Sequence, residues 1–351
     1  MKHQMNRKLF DINNLVRANI KALKPYTTAR DEYKEVLDNM VFLDANENPF
    51  ENDVNRYPDP QQKLLKLELS KIKNSASKNI LLGNGSDEIL DLIVRAFCEP
   101  NSDQIIVLPP TYGMYQVIGN SHAVRVAEVP LNENFQPEID QICSIKNAKV
   151  LFLCSPNNPT GNSFKSSIIE ELIKKFQGIV VLDEAYIDFS EQETWLHRLA
   201  DFPNLIITQT LSKAYGMAGI RLGICYASTE IIAVLNKIKP PYNVNSLTQI
   251  SALKRLKNLP DITSEIKQIK MERERLFSEL QALNFVSKVY DSDANFILIK
   301  VDDANLRYKQ LLDQNIVIRN RTKELGCKNC LRITVGTPIE NQKLINTLKS
   351  L

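Results

Sequence analysis

Hydrophobic and polar positions follow two different rhythms along this chain. Between about residues 80 and 226, short apolar runs alternate with stretches of helical spacing. The runs at 80–82, 104–108, 124–129, 150–154, 179–183, 205–209 and 223–227 are strand candidates, and 87–97 and 167–176 are among the helices between them. That alternation predicts an α/β fold with a mostly parallel sheet covered by helices on both faces. Ligands in such a fold bind at the carboxyl ends of the strands. Upstream, 64–72 has helical spacing through Leu64, Leu65, Leu67, Leu69 and Ile72. Residues 41–44 read as a short strand, and 15–23 is amphipathic.

After about residue 228 the rhythm changes. Long helical stretches are expected over 229–237 and 247–283. A strand over 296–301, a helix over 305–314, two short strands at 316–319 and 331–335, and a last helix from Ile339 follow. This is the pattern of a smaller α+β domain. Pro240-Pro241 cannot sit inside a helix and marks the boundary. The expected organisation is an N-terminal segment over 1–40 that packs with the small domain and over the site, a large domain over 41–240 and a small one over 241–351.

The chain has 351 residues, 43% hydrophobic and 24% charged, which is ordinary for a globular enzyme with more than one core. No apolar run approaches the ~20 residues of a membrane span. Met1 to Lys8 has no apolar signal core behind its basic residues, so a cytoplasmic protein is expected. A net charge of +3 with interleaved signs does not make a nucleic-acid footprint. Cys327 and Cys330 form a C-x-x-C without a second ligand pair, and the chain holds only three histidines. No metal site is expected from them.

The most informative stretch follows the run at 205–207. It reads Thr210-Leu211-Ser212-Lys213 and continues to Arg221. Burial and nearby positive charge turn a lysine into a nucleophile near neutral pH. Short hydroxyls and a planar guanidinium suit a phosphate. A lysine inside a phosphate cradle points to an aldehyde-bearing phosphorylated cofactor, with pyridoxal phosphate as the candidate.

Other motifs sit at other strand ends. Gly83-Asn84-Gly85-Ser86-Asp87 opens a helix, where free amides bind an anion. Tyr112, after Pro109-Pro110, is either an ordinary core or surface aromatic or a ring that can lie flat on an aromatic ligand. Prolines stiffen the loop around Asn158, whose amide is a donor for a phenolate oxygen. Asp183 ends an apolar strand, where a carboxylate opposite a pyridine nitrogen keeps it protonated.

With these residues in view, the chain resembles the fold-type I pyridoxal-phosphate aminotransferases, and among them the histidinol-phosphate aminotransferases, from about Asn14 onward. The resemblance rests on Leu23-Lys24-Pro25-Tyr26, Leu43-Asp44-Ala45-Asn46-Glu47-Asn48-Pro49, Asn55-Arg56-Tyr57-Pro58 and Pro109-Pro110-Thr111-Tyr112-Gly113-Met114-Tyr115. It also rests on Asp183-Glu184-Ala185-Tyr186, the 210–213 motif and Cys330-Leu331-Arg332-Ile333-Thr334-Val335.

The resemblance implies a catalytic set of Lys213, Asp183 and Tyr112. Lys213 bonds the cofactor's aldehyde and later moves the proton. Asn158 and Tyr186 contact the cofactor's 3′ oxygen. Gly85, Ser86, Asp87, Thr210, Ser212 and Arg221 hold its phosphate. Tyr57 reaches the phosphate of a neighbouring subunit, which implies a homodimer with shared active sites. Asn46 and Arg332 bind the substrate α-carboxylate, and Tyr26 belongs to a segment over the site. Arg319, 13 residues before Arg332 (332 − 319), is similar to an arginine that meets the substrate phosphate, with Arg321 as its competitor. The implied reaction is transamination between histidinol phosphate and 2-oxoglutarate in histidine biosynthesis. An aromatic amino-acid aminotransferase and a phosphothreonine decarboxylase on the same scaffold are the alternatives.

Overall fold

A computed structural model describes residues 10–26 and 40–351. Among these residues, the strands of the larger sheet are β1 (Ile80–Asn84), β2 (Gln104–Val107), β3 (Arg125–Glu128), β4 (Ala148–Cys154), β5 (Ile179–Asp183), β6 (Leu205–Thr210) and β7 (Leu222–Ala227). A smaller sheet holds β8 (Val286–Val289), β9 (Phe296–Val301), β10 (Arg319–Asn320) and β11 (Cys330–Thr334). The α-helices are α1 (Ala18–Ala22), α2 (Lys63–Lys73), α3 (Ser86–Phe97), α4 (Met114–Ser121), α5 (Ile139–Ser144), α6 (Ser166–Lys175), α7 (Thr229–Ile238), α8 (Ser246–Leu256), α9 (Leu259–Gln281), α10 (Ala304–Asp313) and α11 (Pro338–Lys349).

The larger sheet runs in the order β1-β7-β6-β5-β4-β2-β3. Its central strands are continuous apolar runs because helices cover both faces. Along β5, Val180 and Leu182 enter one core layer, while Ile179 and Val181 enter the other. Outer strand β3 carries exposed Arg125 and Glu128, charges that discourage pairing with another chain.

Strands β2 to β6 pair in parallel, as the rhythm predicts. The exception is β7, which is antiparallel to both β6 and β1. The connection from β6 to β7 holds only turns and one 3-10 turn, Ala218–Ile220, with no crossover helix. A return that short cannot make a parallel pair. The consequence decides the site. The carboxyl ends of β1, β2, β4, β5 and β6 share one sheet edge with the amino end of β7.

In the smaller sheet, strand alternation separates two sets of residues. Leu331 and Ile333 face the core with Leu276, Leu344 and Ile345 of α9 and α11. Arg332 lies on the opposite face. Arg319 of β10 pairs in register with Arg332 of β11, so both arginines share that face. Helix α11 begins with a capping box between Thr337 and Glu340, with Pro338 in its first turn.

Several expectations shift. Residues 41–44 form no strand; Val41 and Leu43 are 80% and 87% exposed in a loop. The stretch 247–283 divides into α8 and α9 around Lys257 and Asn258, before Pro260 in the first turn of α9. The strand expected over 316–319 is only Arg319–Asn320, and β8 went unread. The expected N-terminal segment lies largely outside the described residues. For residues 10–22 the packing partner is the larger part of the molecule rather than the smaller sheet. Arg17 donates to the Arg95 carbonyl at 3.0 Å, and Leu15 and Val16 join the core layer of α3.

Gly223 faces Gly83 across β7 and β1. A Cβ at Gly223 would lie 2.3 Å from the Ser86 amide nitrogen, inside contact distance of backbone that cannot move independently. Gly223→Ala should therefore lower stability by about 1–3 kcal/mol, the usual range for overpacking, as read by urea unfolding.

Candidate active site

At the shared sheet edge, Ser86, Asp87, Tyr112, Cys154, Asn158, Asp183, Ala185, Tyr186, Thr210, Ser212, Lys213 and Arg221 line one cavity with about 480 Å³ of empty space. Ten of these are residues singled out from the sequence; Cys154 and Ala185 are not. Gly85 stands directly behind Ser86, as the residue preceding α3.

One end of the cavity is built for an anion. Gly85 adopts φ +78 and caps α3 without a side chain, which leaves the first-turn amides without a side-chain cap. A Cβ there would fall 2.6 Å from Arg221 Nη2, so the close approach requires glycine. Arg221 is itself left-handed at φ 54, and its carbonyl accepts from the Gly85 amide at 2.9 Å. That bond ties the start of α3 to the start of β7. Thr210 and Ser212 hydroxyls sit 3.0 Å apart, and Ser212 N donates to Thr210 Oγ1 at 3.1 Å. Arg221 Nη2 stands 3.7 Å from Asp87 Oδ2, and Tyr112 donates its hydroxyl to Asp87 Oδ1 at 3.0 Å.

The other end holds a buried carboxylate. Asp183, 3% exposed, accepts from Tyr115 Oη at 2.6 Å and from the Ala185 amide at 3.2 Å. Burial pushes its pKa up, while these donors pull it down. The adjacent Glu184 turns away from the cavity. It accepts from the Trp195 amide at 2.8 Å and Gln209 Nε2 at 2.9 Å, which braces the end of β5.

Lys213 stands between the two ends, its ammonium 5.7 Å from the centre of the Tyr186 ring. Burial, and after it the Arg332 guanidinium, hold its pKa below the ordinary lysine value. Tyr186 receives the Asn158 amide at 3.5 Å. Arg332 reaches in from β11, donates Nη1 to Asn158 Oδ1 and lies over the Phe296 ring with Cζ 5.2 Å from its centre. Its Nε is buried and has no partner among the described residues. Burial and neighbouring Arg321 lower its pKa, so this corner is short of negative charge.

Of the two arginines considered for a second anion, Arg321 is engaged by Glu324 at 2.6 Å. Arg319 is exposed beside Arg332 and has no ion pair among the described residues. Tyr26, Asn46 and Tyr57 are not brought into the cavity. Tyr26 is 76% exposed. Asn46 and Tyr57 line a separate groove with Leu247, where Tyr57 stacks on Tyr242 at 4.4 Å between ring centres. Tyr57 is held there through Glu47, which accepts from its amide at 2.6 Å and from Arg56 at 2.8 Å. Cys327 and Cys330 are buried with Leu298 and Tyr290, outside the cavity lining.

Sequence reasoning gave no role to Tyr115, although it stands within a quoted motif. Its spacing from Tyr112 matches a core aromatic, and only the fold sets its hydroxyl against Asp183. The residues present fit a ligand with a phosphate at one end and a ring nitrogen at the other. The anion cradle is closed to a side chain at Gly85, and the carboxylate stands opposite it.

The family of class I and II aminotransferases matches this chain over residues 37–348. A histidinol-phosphate aminotransferase of Flavobacterium johnsoniae is 60% identical over 97% of this chain and 99% of its own length. One of Christiangramia forsetii is 59% identical over 97% of this chain and 98% of its own. Among solved structures, a histidinol-phosphate aminotransferase from Clostridium acetobutylicum aligns with TM-score 0.79 and 26% identity, over 85% of this chain and 91% of its own.

Burial of Asp183 has a measurable cost. Its folded pKa is raised, so folding takes up protons, and the ionised group weakens the fold once pH exceeds the ordinary carboxylate value of about 3.9. The full cost stands above the folded pKa and vanishes in acid. The Asp183→Asn variant without cofactor should melt a few degrees higher than the parent protein at pH 8. That gap should close as pH falls below about 4, as followed by calorimetry.

Proposed function

The chain belongs to the class I and II aminotransferase family, and on that premise we propose that it moves an amino group between L-histidinol phosphate and 2-oxoglutarate. The products are 3-(imidazol-4-yl)-2-oxopropyl phosphate and L-glutamate, a step of L-histidine biosynthesis, with pyridoxal 5′-phosphate as cofactor. The observation that carries this reading is the pair of arginines on one face of β10 and β11. Arg332 is bonded to Asn158 of the cavity wall, and Arg319 beside it has no ion pair among the described residues. Such a pair suits substrates that present an anion at one reach or another from the amine. Relatives at 59–60% identity favour this substrate over an aromatic amino acid or phosphothreonine.

When bound, pyridoxal phosphate supplies an aldehyde that carries the amino group and a ring that accepts the electron pair left by the departing Cα proton. Ser86, Thr210, Ser212, Arg221 and the first amides of α3 would hold its phosphate. Asp183 would hold a proton on the ring nitrogen, and Asn158 and Tyr186 would face the 3′ oxygen. Tyr112 would flank the ring. Lys213, with its lowered pKa, holds and moves the proton at the substrate Cα as base and then acid. Arg332 orients the substrate carboxylate with a planar fork. Arg319, rather than Arg321, receives the substrate phosphate, because Glu324 already occupies Arg321. In this reading 41–240 carries the cofactor and 241–351 the substrate arginines.

We further propose a homodimer whose partner completes each site. The groove of Asn46 and Tyr57 lies outside the cavity, and apolar Phe50 and Leu247 are 79% and 63% exposed near it. A second copy covering this face would bury them and bring a tyrosine toward the neighbouring phosphate cradle. Among the described residues no helix is long and apolar enough to cross a membrane.

The direct test mixes the holoenzyme with histidinol phosphate and 2-oxoglutarate and measures glutamate. No glutamate above a Lys213→Ala control overturns the reading. In the same assay, Arg319→Ala should lower kcat/KM for histidinol phosphate by roughly 30-fold or more, the usual cost of removing a charged partner, while the glutamate half-reaction changes far less. An equal loss for both substrates removes Arg319 from the phosphate role. Light scattering tests the assembly: Phe50→Asp combined with Leu247→Asp should halve the mass and depress turnover, whereas an unchanged mass places the interface elsewhere.

A further inference from the structure

Behind Asp183, on the side away from the cavity, lies a tyrosine with no role so far. We propose that Tyr115 is a positioning residue, whose phenol holds the Asp183 carboxylate in place and keeps it ionised to face the cofactor's ring nitrogen. The inference rests on the reading of Asp183 given above.

The geometry is specific. Asp183 accepts the Ala185 amide on Oδ1 and the Tyr115 hydroxyl on Oδ2, and the buried Thr208 hydroxyl also pulls its pKa down. At 2.6 Å the phenol contact has the length of a charge-assisted bond. Tyr115 is fully buried, so no bulk water takes over if its hydroxyl is lost. Its ring is clamped on two sides. It stacks on Phe152 at 4.7 Å and 5°, and meets Tyr112 edge-on at 5.5 Å and 85°. The hydroxyl is therefore aimed by packed rings rather than by a mobile side chain.

Packing alone does not ask for this hydroxyl. Phenylalanine would fill the same space against Phe152, and a phenol buried without need costs desolvation. What the hydroxyl adds is a donor to a carboxylate whose pKa burial pushes up and this bond pulls back down. Both burial and the Asp183 charge hold the Tyr115 phenol far above its ordinary pKa, so it stays a donor across the working range. The three-residue spacing of Tyr112 and Tyr115 puts one ring at the cavity wall and the next behind it. The start of α4 thus serves both the cofactor face and the carboxylate.

The test uses holoenzyme loaded with pyridoxal phosphate labelled with 15N at the ring. In Tyr115→Phe, the ring-nitrogen resonance at pH 8 should move toward the unprotonated position. The acid limb of the kcat profile should rise to higher pH. kcat itself should fall about 10- to 100-fold, the span of losing one bond to a charged group, with KM for both substrates nearly unchanged. Phe152→Leu, which loosens the same packing but keeps the hydroxyl, should leave the resonance in place. If Phe152→Leu reproduces the shift, Tyr115 acts through packing and the proposal falls.

Asp183→Asn separates the two levels of the argument. A resonance that moves in Asp183→Asn but not in Tyr115→Phe sinks the role of Tyr115 and leaves that of Asp183. No movement in either sinks both. Should Tyr115→Phe not fold, 3-fluorotyrosine incorporated at position 115, a stronger donor of nearly the same shape, should shift the acid limb to lower pH. An unmoved limb then overturns the proposal.

Discussion

Strand β7 returns antiparallel between β1 and β6, and the geometry of the cavity depends on that return. Because the connection after β6 is short, the chain turns back at the edge it has just reached. Lys213 and Arg221 therefore stand at the same end of the sheet, with Arg221 beside the start of α3. Gly223, without a side chain, lets the turn at Gly85 and Ser86 pack directly on β7, and the Gly85 amide locks onto the Arg221 carbonyl at 2.9 Å. A helix amino end, two hydroxyls and a guanidinium converge there because the backbone leaves them no other place.

Against this rigid edge the cavity keeps its charges partly out of water. Asp183 and Lys213 both have pKa values displaced toward their neutral forms, chiefly by desolvation. Neither displacement helps the fold. Each is the cost of placing an ionisable group where its field acts on a ligand instead of on solvent. Arg332 shares the condition, with a buried Nε that has no partner among the described residues. Three perturbed groups around one space mark it as the site, and the donors that restrain Asp183 show how the cost is contained.

The smaller sheet contributes by alternation. Its core needs Leu331 and Ile333, and the pleat then sends Arg332 to the other face. Register with β10 adds Arg319. The pairing of strands thus puts two guanidinium groups on one face, while Arg321 is paired with Glu324.

The local character of each element was legible in the chain. Fully buried strands such as β5 need uninterrupted apolar runs, and a loop lysine flanked by hydroxyls is a local pattern, so 179–183 and 210–213 could be read directly. What acts over distance could not. Periodicity cannot tell a parallel strand from an antiparallel one, so the reversal of β7 was invisible. It cannot tell a core tyrosine from one that donates to a carboxylate 68 positions away, as Tyr115 does. Residues 41–44 looked like a strand because their apolar content was real; the described chain leaves Val41 and Leu43 open to solvent. Residue types and their order determined which chemistry was available. Only tertiary structure decided which groups share a cavity, because burial, register and strand direction are properties of contacts between segments far apart in the chain.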